Sequence, residues 1–309
     1  MTAAPRLQGV FAPVVTPFHP EHAPASGRFV SHCRWLIGQG VGLAVFGTNS
    51  EAASLSLAEK CALLEALLEA GLPAERMMPG TGMCALPETI ELTRRAVRSG
   101  CGGVLMLPPF YYKGVSEEGL YRAFATVVDT VADERLRIYL YHIPLVSQVP
   151  ITRGLVARLL KAYPGAIAGM KDSSGDWDNT SAMLAEFQPQ GFDVFAGSES
   201  FLLRTLRGGG AGCITATGNV NPGPIVALHR NWRAQDADAR QAALDATRGV
   251  FQRFPMIAAM KAAIAWKSGR DDWCTVRPPL VELSDEERDA LRRALEQVGF
   301  EMPEAAALA

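Results

Sequence analysis

Apolar positions along this chain fall in short runs that ignore alternation. The runs are GVFAPVVTPF (9–18), GLAVFGTN (42–49), RMMPGTG (76–82), GGVLMLPP (102–109), RIYLYHI (137–143), IAGMKDS (167–173), FDVFAGS (192–198) and GCITATGN (212–219). Each is apolar on both faces of an extended chain, the pattern of a parallel strand covered on both sides. The stretches between them carry helical spacing with readable ends. LPETIELTRRAVRSG has Pro87 in its first turn and Gly100 past its last. VSEEGLYRAFATVVDTVAD opens on Ser116 as N-cap, with Glu117 and Glu118 at the positive end of the dipole. ITRGLVARLLKAYPG starts at Thr152 and stops at Pro164-Gly165. Strand and helix thus alternate, with strand starts roughly 20–35 residues apart, which requires crossover connections and a parallel sheet.

Eight such units within about 220 residues predict a closed (β/α)8 TIM barrel. The competing open, doubly wound sheet calls for a Gly-rich phosphate loop after the first strand, and VVTPFHPEHAP is not one. After Asn219 the strand pattern stops. NPGPIVALHRNWRAQ reads as the eighth barrel helix, and DADARQAALDATRGVFQRF, PMIAAMKAAIAWKSG and SDEERDALRRALEQVG as three more. The last begins with a capping box, Ser284 to Glu287. The expected organisation is a barrel over 1–234 and a C-terminal helical extension over 235–309.

Composition narrows the function classes. The 309 residues are 48% hydrophobic with a formal charge of -2, which offers no electrostatic case for nucleic acid or an anionic membrane surface. No apolar run of about 18 residues predicts a membrane span, and MTAAPRLQGV is not patterned as a signal peptide. The six cysteines form no C-x-x-C pair, and no histidine lies at metal-ligand spacing from them. The expectation is a cytoplasmic protein with reduced thiols and no metal.

In a barrel the chemistry belongs at the carboxyl ends of the strands. Polar residues collect there: Thr16, the run Thr48-Asn49-Ser50-Glu51, Thr81, Tyr111-Tyr112-Lys113, Tyr141-His142, Lys171-Asp172-Ser173, Gly197-Ser198-Glu199, and Thr215, Thr217 and Asn219. Lys171 is the anomaly, an ammonium closing an apolar strand. Held half-dry, its pKa is expected to fall, and the free amine then attacks ketones or aldehydes to give a Schiff base. By position alone a structural or salt-bridged lysine stays open. Tyr141, Thr48 and the Tyr111-Tyr112 pair offer hydroxyls for a proton relay, or are core residues with bonded tips. GTNSEA offers backbone N–H groups to a carboxylate, or is an ordinary N-cap turn.

Taken in order, these segments carry a resemblance. GVFAPVVTPF, GTNSEAASLSLAEK, LPPFYYKGVSEEGLYRAF, YLYHIP, IAGMKDSSGD, FAGSES and GCITATGNV resemble the dihydrodipicolinate synthase / N-acetylneuraminate lyase family of pyruvate-dependent class I aldolases, over essentially the whole chain. The resemblance implies a barrel with a helical C-terminal domain, usually a homotetramer built as a dimer of dimers. It implies that Lys171 forms the Schiff base with pyruvate and that Tyr141 transfers protons near the imine. Thr48 would relay protons, and Tyr112 of a neighbouring subunit would complete the relay. A slip of one residue would put Tyr111 in its place. The backbone of Thr48 and Asn49 would hold the pyruvate carboxylate, and Gly197 and Ile214 would line the pocket. No metal or organic cofactor is implied.

The departures bear on substrate. Val146 stands where synthases of the family carry an arginine for the second substrate's carboxylate, and a valine forms no bidentate pair. Leu57, Lys60 and Cys84 do not match the lysine-feedback positions. Ser200 and Ala216 replace an acidic and a hydroxyl group of the sialic-acid pocket. Asn49 replaces the second hydroxyl of the carboxylate loop. MKDSSGD is more similar to members cleaving 2-keto-3-deoxy sugar acids or 4-hydroxy-2-oxoglutarate. The expected function is therefore a lyase joining pyruvate to an aldehyde or reversing that step. The alternatives are 4-hydroxy-tetrahydrodipicolinate synthesis, a related 2-keto-acid dehydratase or deaminase, and a catalytically silent pyruvate-binding protein.

Overall fold

The doubly apolar runs are buried along most of their length, but ladder pairing takes in only part of each. In the computed structural model, which describes residues 6–308, seven strands form. They are β1 (Gly9–Ala12), β2 (Gly42–Leu43), β3 (Val104–Met106), β4 (Ile138–His142), β5 (Ile167–Asp172), β6 (Asp193–Ala196) and β7 (Gly212–Ile214). The remaining run, 76–82, is extended without being a full strand. It joins β3 through Thr81 N to Leu105 O and Leu105 N to Pro79 O, each 2.9 Å. Residues 1–5, part of the stretch read for a leader, lie outside the described residues.

The chain divides into two units that do not follow its linear order. Among the described residues, one comprises 6–9 with Pro73–Ile214, the other Val10–Leu72 with 215–308. In the first, β3 to β7 pair in sequence order, each parallel to the next. Each crossover carries a helix, as in Glu117–Val131, Arg153–Ala162, Trp177–Phe187 and Leu202–Arg207. Ser116 and Thr152 cap the first two, accepting from the N–H groups of Gly119 and Leu155. One face of the strands (Ile138, Leu140, Ile167, Met170, Val194) meets Phe124, Leu155, Leu159, Met183 and Phe187 of the helices in a single buried cluster. Truncating any of these to alanine costs about 2–5 kcal/mol.

Strict alternation would put Lys171 on the same face as Ile167. A bulge prevents this. Ile138 pairs with Ile167, but Tyr139 pairs with Gly169, so Ala168 is an extra residue in β5. Its carbonyl accepts from the Arg6 guanidinium instead. Beyond the bulge Met170 and Ile167 share the helix-facing side, and Lys171 falls on the other side with Tyr141, its register partner. Gly169 is required there, since a Cβ would come within 2.2 Å of Asp193 O.

In the second unit β1 and β2 pair in parallel, Phe11 opposite Gly42 and Ala12 opposite Leu43, and Thr215 N donates to Phe11 O at 3.0 Å. This unit also holds the late helices Pro222–Arg230, Ala237–Phe251, Met256–Ser268 and Asp285–Gln297. The last starts at the expected capping box, Ser284 with Glu287. Met256–Ser268 is apolar around its circumference and is buried accordingly. Among the described residues no helix is long and apolar enough to cross a membrane.

Candidate active site

The first unit brings Lys171 and Tyr141 together. Both are 2% exposed, and Lys171 Nζ donates to the Tyr141 hydroxyl at 3.1 Å. The amine also lies 4.1 Å from the centre of the Tyr141 ring. Among the described residues no carboxylate pairs with this amine, so the salt-bridge reading of Lys171 finds no support. An amine in its unprotonated form can act as a nucleophile, and a phenol beside it can donate and accept a proton.

The strand ends carrying this pair are held from behind. Alternation places Asp172 on the opposite face from Lys171. There its carboxylate accepts from Ser174 N (2.9 Å), Asn179 Nδ2 (2.8 Å) and Thr180 Oγ1 (2.7 Å), tying β5 to the next helix. His142, register partner of Asp172, accepts through Nδ1 from Ile151 N at 3.0 Å. Its neutral form therefore carries the proton on Nε2. Burial lowers its pKa, against the opposing pull of Asp172. Gly197 N donates to Asp172 O at 2.6 Å, and a Cβ on Gly197 would come within 2.7 Å of the backbone at Asp172 O and Ser173 Cα. That approach demands glycine. Ile214 ends β7 and is fully buried. Tyr111 and Tyr112 form an edge-to-face pair 5.4 Å apart, and each is 73% exposed. Lys113 ties their loop to the segment after β4, donating to Phe110 O and to Ser147 O (2.7 Å).

Thr48 and Asn49 belong to the second unit, in the 3-10 turn Thr48–Ser50. Ser50 closes the turn by accepting from Gly47 N at 3.1 Å, and Thr16 Oγ1 donates to Ser50 O at 2.7 Å. The turn thus has its own cap, and Ser50 supplies it. Glu51 follows with φ of 55°, a left-handed conformation. Its carboxylate pairs with Lys261 in an ion pair whose side chains are both fully buried. It also accepts from Arg277 N at 2.8 Å. Lys261 donates in addition to Thr275 O at 2.8 Å. Burial pulls the Lys261 ammonium below the usual lysine range, and Glu51 pulls it back. Sequence reasoning passed over this pair, although the signal was the one that exposed Lys171: a lone cation in the apolar run MIAAMKAAIAW. Among the described residues no group of three or more His, Cys, Asp or Glu is arranged to hold a metal ion.

An amine and a phenol thus meet at adjacent parallel strand ends, in an α/β chain with crossover helices. Residues 6–298 match the dihydrodipicolinate synthetase family, and the chain belongs to it. A DapA-like lyase of Chloroflexus aurantiacus is 36% identical over 96% of this chain and 98% of its own. A 4-hydroxy-tetrahydrodipicolinate synthase of Thermus thermophilus is 33% identical over 95% and 97%. Among solved structures, YagE of E. coli K12, a member of the same family in complex with pyruvate, superposes with a TM-score of 0.85 at 29% identity. The match covers 95% of this chain and 99% of that one. The protein is accordingly a lyase acting at carbon–carbon bonds.

Proposed function

We propose that this chain is a pyruvate-dependent class I aldolase whose Schiff base forms at Lys171. The observation that carries the reading is the buried Lys171 amine in contact with the Tyr141 phenol at 3.1 Å. The amine attacks the keto carbon of pyruvate, and Tyr141 passes the protons as the carbinolamine loses water. The iminium draws electrons from the methyl carbon, which gives up a proton to leave an enamine. That carbon attacks the aldehyde, and water releases the 2-keto-acid from Lys171. Cleavage runs the same steps backward. Thr48 relays protons with Tyr141, and the Thr48 and Asn49 backbone holds the carboxylate. Gly197 and Ile214 line the pocket. The YagE complex with pyruvate supports the choice of keto acid.

The finer assignments belong to the same reading. The strands close into a (β/α)8 barrel over 1–234, the segment 76–82 counting as the third of eight, and residues from 235 onward form a helical extension. The subunits form a homotetramer in the cytoplasm, with Tyr112 reaching a neighbour's site. The exposure of the Tyr111–Tyr112 pair on a loop fastened by Lys113 supports a partner that covers it. The aldehyde side favours a 2-keto-3-deoxy sugar acid or 4-hydroxy-2-oxoglutarate. A second reading, 4-hydroxy-tetrahydrodipicolinate synthesis, is favoured by the Thermus relative's name. Against it stands Val146, exposed and apolar after β4.

Borohydride reduction in the presence of pyruvate, followed by peptide mapping, tests the chemistry. A reduced adduct on Lys171 is expected, and an unmodified protein or an adduct elsewhere overturns it. Aspartate semialdehyde assayed beside sugar-acid substrates separates the two readings.

A further inference from the structure

The turn assigned above to the pyruvate carboxylate does not stand alone. It is anchored by a buried charge from a helix some 210 residues further along the chain. Helix Met256–Ser268 packs against the turn Thr48–Ser50, and its one buried cation, Lys261, reaches Glu51. The carboxylate of Glu51 is also gripped by Arg277 N at 2.8 Å. The Lys261 ammonium is fixed in turn by Thr275 O at 2.8 Å and by the Phe18 ring, 4.6 Å to its centre. A left-handed glutamate is a strained backbone choice, and here it is the residue that ends the turn. Its side chain is held in that place by Lys261 and by Arg277 N.

We propose that Lys261 and Glu51 are positioning residues for carboxylate recognition: the buried pair locks the turn Thr48–Ser50 in the form that receives the 2-keto-acid. This rests on the reading that the Thr48 and Asn49 backbone binds that carboxylate. Neither residue takes part in the covalent steps. Their loss weakens the capture of pyruvate and leaves the Schiff-base chemistry at Lys171 intact. The helices beyond residue 235 thereby have a role in substrate affinity, because one of them supplies the cation.

The test uses the full chain as wild type, Lys261→Met, Lys261→Arg and Glu51→Gln. For each, borohydride trapping on Lys171 is followed against pyruvate concentration, and the melting temperature is recorded. The half-saturating pyruvate concentration is expected to rise by up to about 100-fold in Lys261→Met and Glu51→Gln, the scale on which a misplacement of about 1 Å acts. The trapping rate at saturation stays within about threefold of wild type, since the reacting groups are untouched. Lys261→Arg keeps the charge and restores part of the affinity. Glu51→Gln, an isostere, carries the decision if Lys261→Met does not fold. Folded Glu51→Gln with wild-type half-saturation overturns the proposal. So does a fall in the saturating rate with half-saturation unchanged. If wild type itself gives no adduct on Lys171, the aldolase reading fails and this inference with it. An adduct with unaltered affinity in the variants defeats the inference alone.

Discussion

Replacing Tyr141 by phenylalanine removes one oxygen and nothing else. The ring that packs 4.1 Å from the Lys171 amine remains, while the hydroxyl that accepts at 3.1 Å is gone. Both residues are 2% exposed. A buried donor stripped of its partner costs about 1–3 kcal/mol of stability. The catalytic loss is a separate quantity. A positioned proton-transfer group contributes about 10²- to 10⁴-fold in rate, which is about 3–5 kcal/mol in the barrier. The two are separable by measuring Tm together with kcat for pyruvate-dependent aldehyde consumption. The expected variant is folded, melts somewhat lower, and turns over at least about a hundredfold more slowly. Borohydride trapping at long times still labels Lys171, since the amine persists. A folded Tyr141→Phe enzyme with kcat within about threefold of wild type would refute the assignment of the phenol as proton carrier.

Lys171→Ala should abolish both the pyruvate adduct and turnover by several orders of magnitude, because covalent activation has no substitute; retained activity at a tenth of wild type would end the Schiff-base account. Gly169→Ala drives a Cβ to 2.2 Å from Asp193 O, so a loss of about 1–3 kcal/mol is expected, with kcat/KM falling as the Lys171 end of β5 shifts; an unchanged Tm would contradict the strand spacing. Thr180→Val deletes the 2.7 Å donor to the buried Asp172 carboxylate, and urea unfolding should show a loss of about 1.5–3 kcal/mol. His32 tests pH dependence. It is fully buried, donates through Nε2 to Asn219 O at 3.0 Å, and its Nδ1 has no partner among the described residues. Burial pushes its pKa down to about 4. Between pH 6.5 and 4 the unfolded chain takes up a proton that the folded chain refuses, so stability falls as pH falls, by about 3 kcal/mol in all. His32→Gln should flatten that limb of the stability curve, and identical acid slopes in the two proteins would show that His32 does not set it.

Local chemistry was readable wherever its cause was local. The caps at Ser116, Thr152 and Ser284 stand where side-chain acceptors meet free N–H groups within a few residues. The strands were located by runs apolar on both faces, though they came out shorter than the runs. Burial extends further along the chain than ladder pairing does. The run 76–82 shows this, buried and extended yet sharing two hydrogen bonds with β3. Lys171 and Tyr141 were legible as candidates because a cation and a phenol at the ends of apolar strands contradict their surroundings.

The order of strands and helices, their caps, and the presence of an out-of-place amine are properties of the chain itself, since each depends on neighbours a few residues away. Which face that amine takes is not. It depends on one extra residue, Ala168, whose carbonyl is released from the ladder and accepts from Arg6, far along the chain. The same holds for Lys261: in sequence it is the same anomaly as Lys171, a charge in an apolar run. Only the fold gives one lysine a carboxylate and the other a phenol, because partners 30 or 210 residues apart are chosen by packing, which no local pattern encodes.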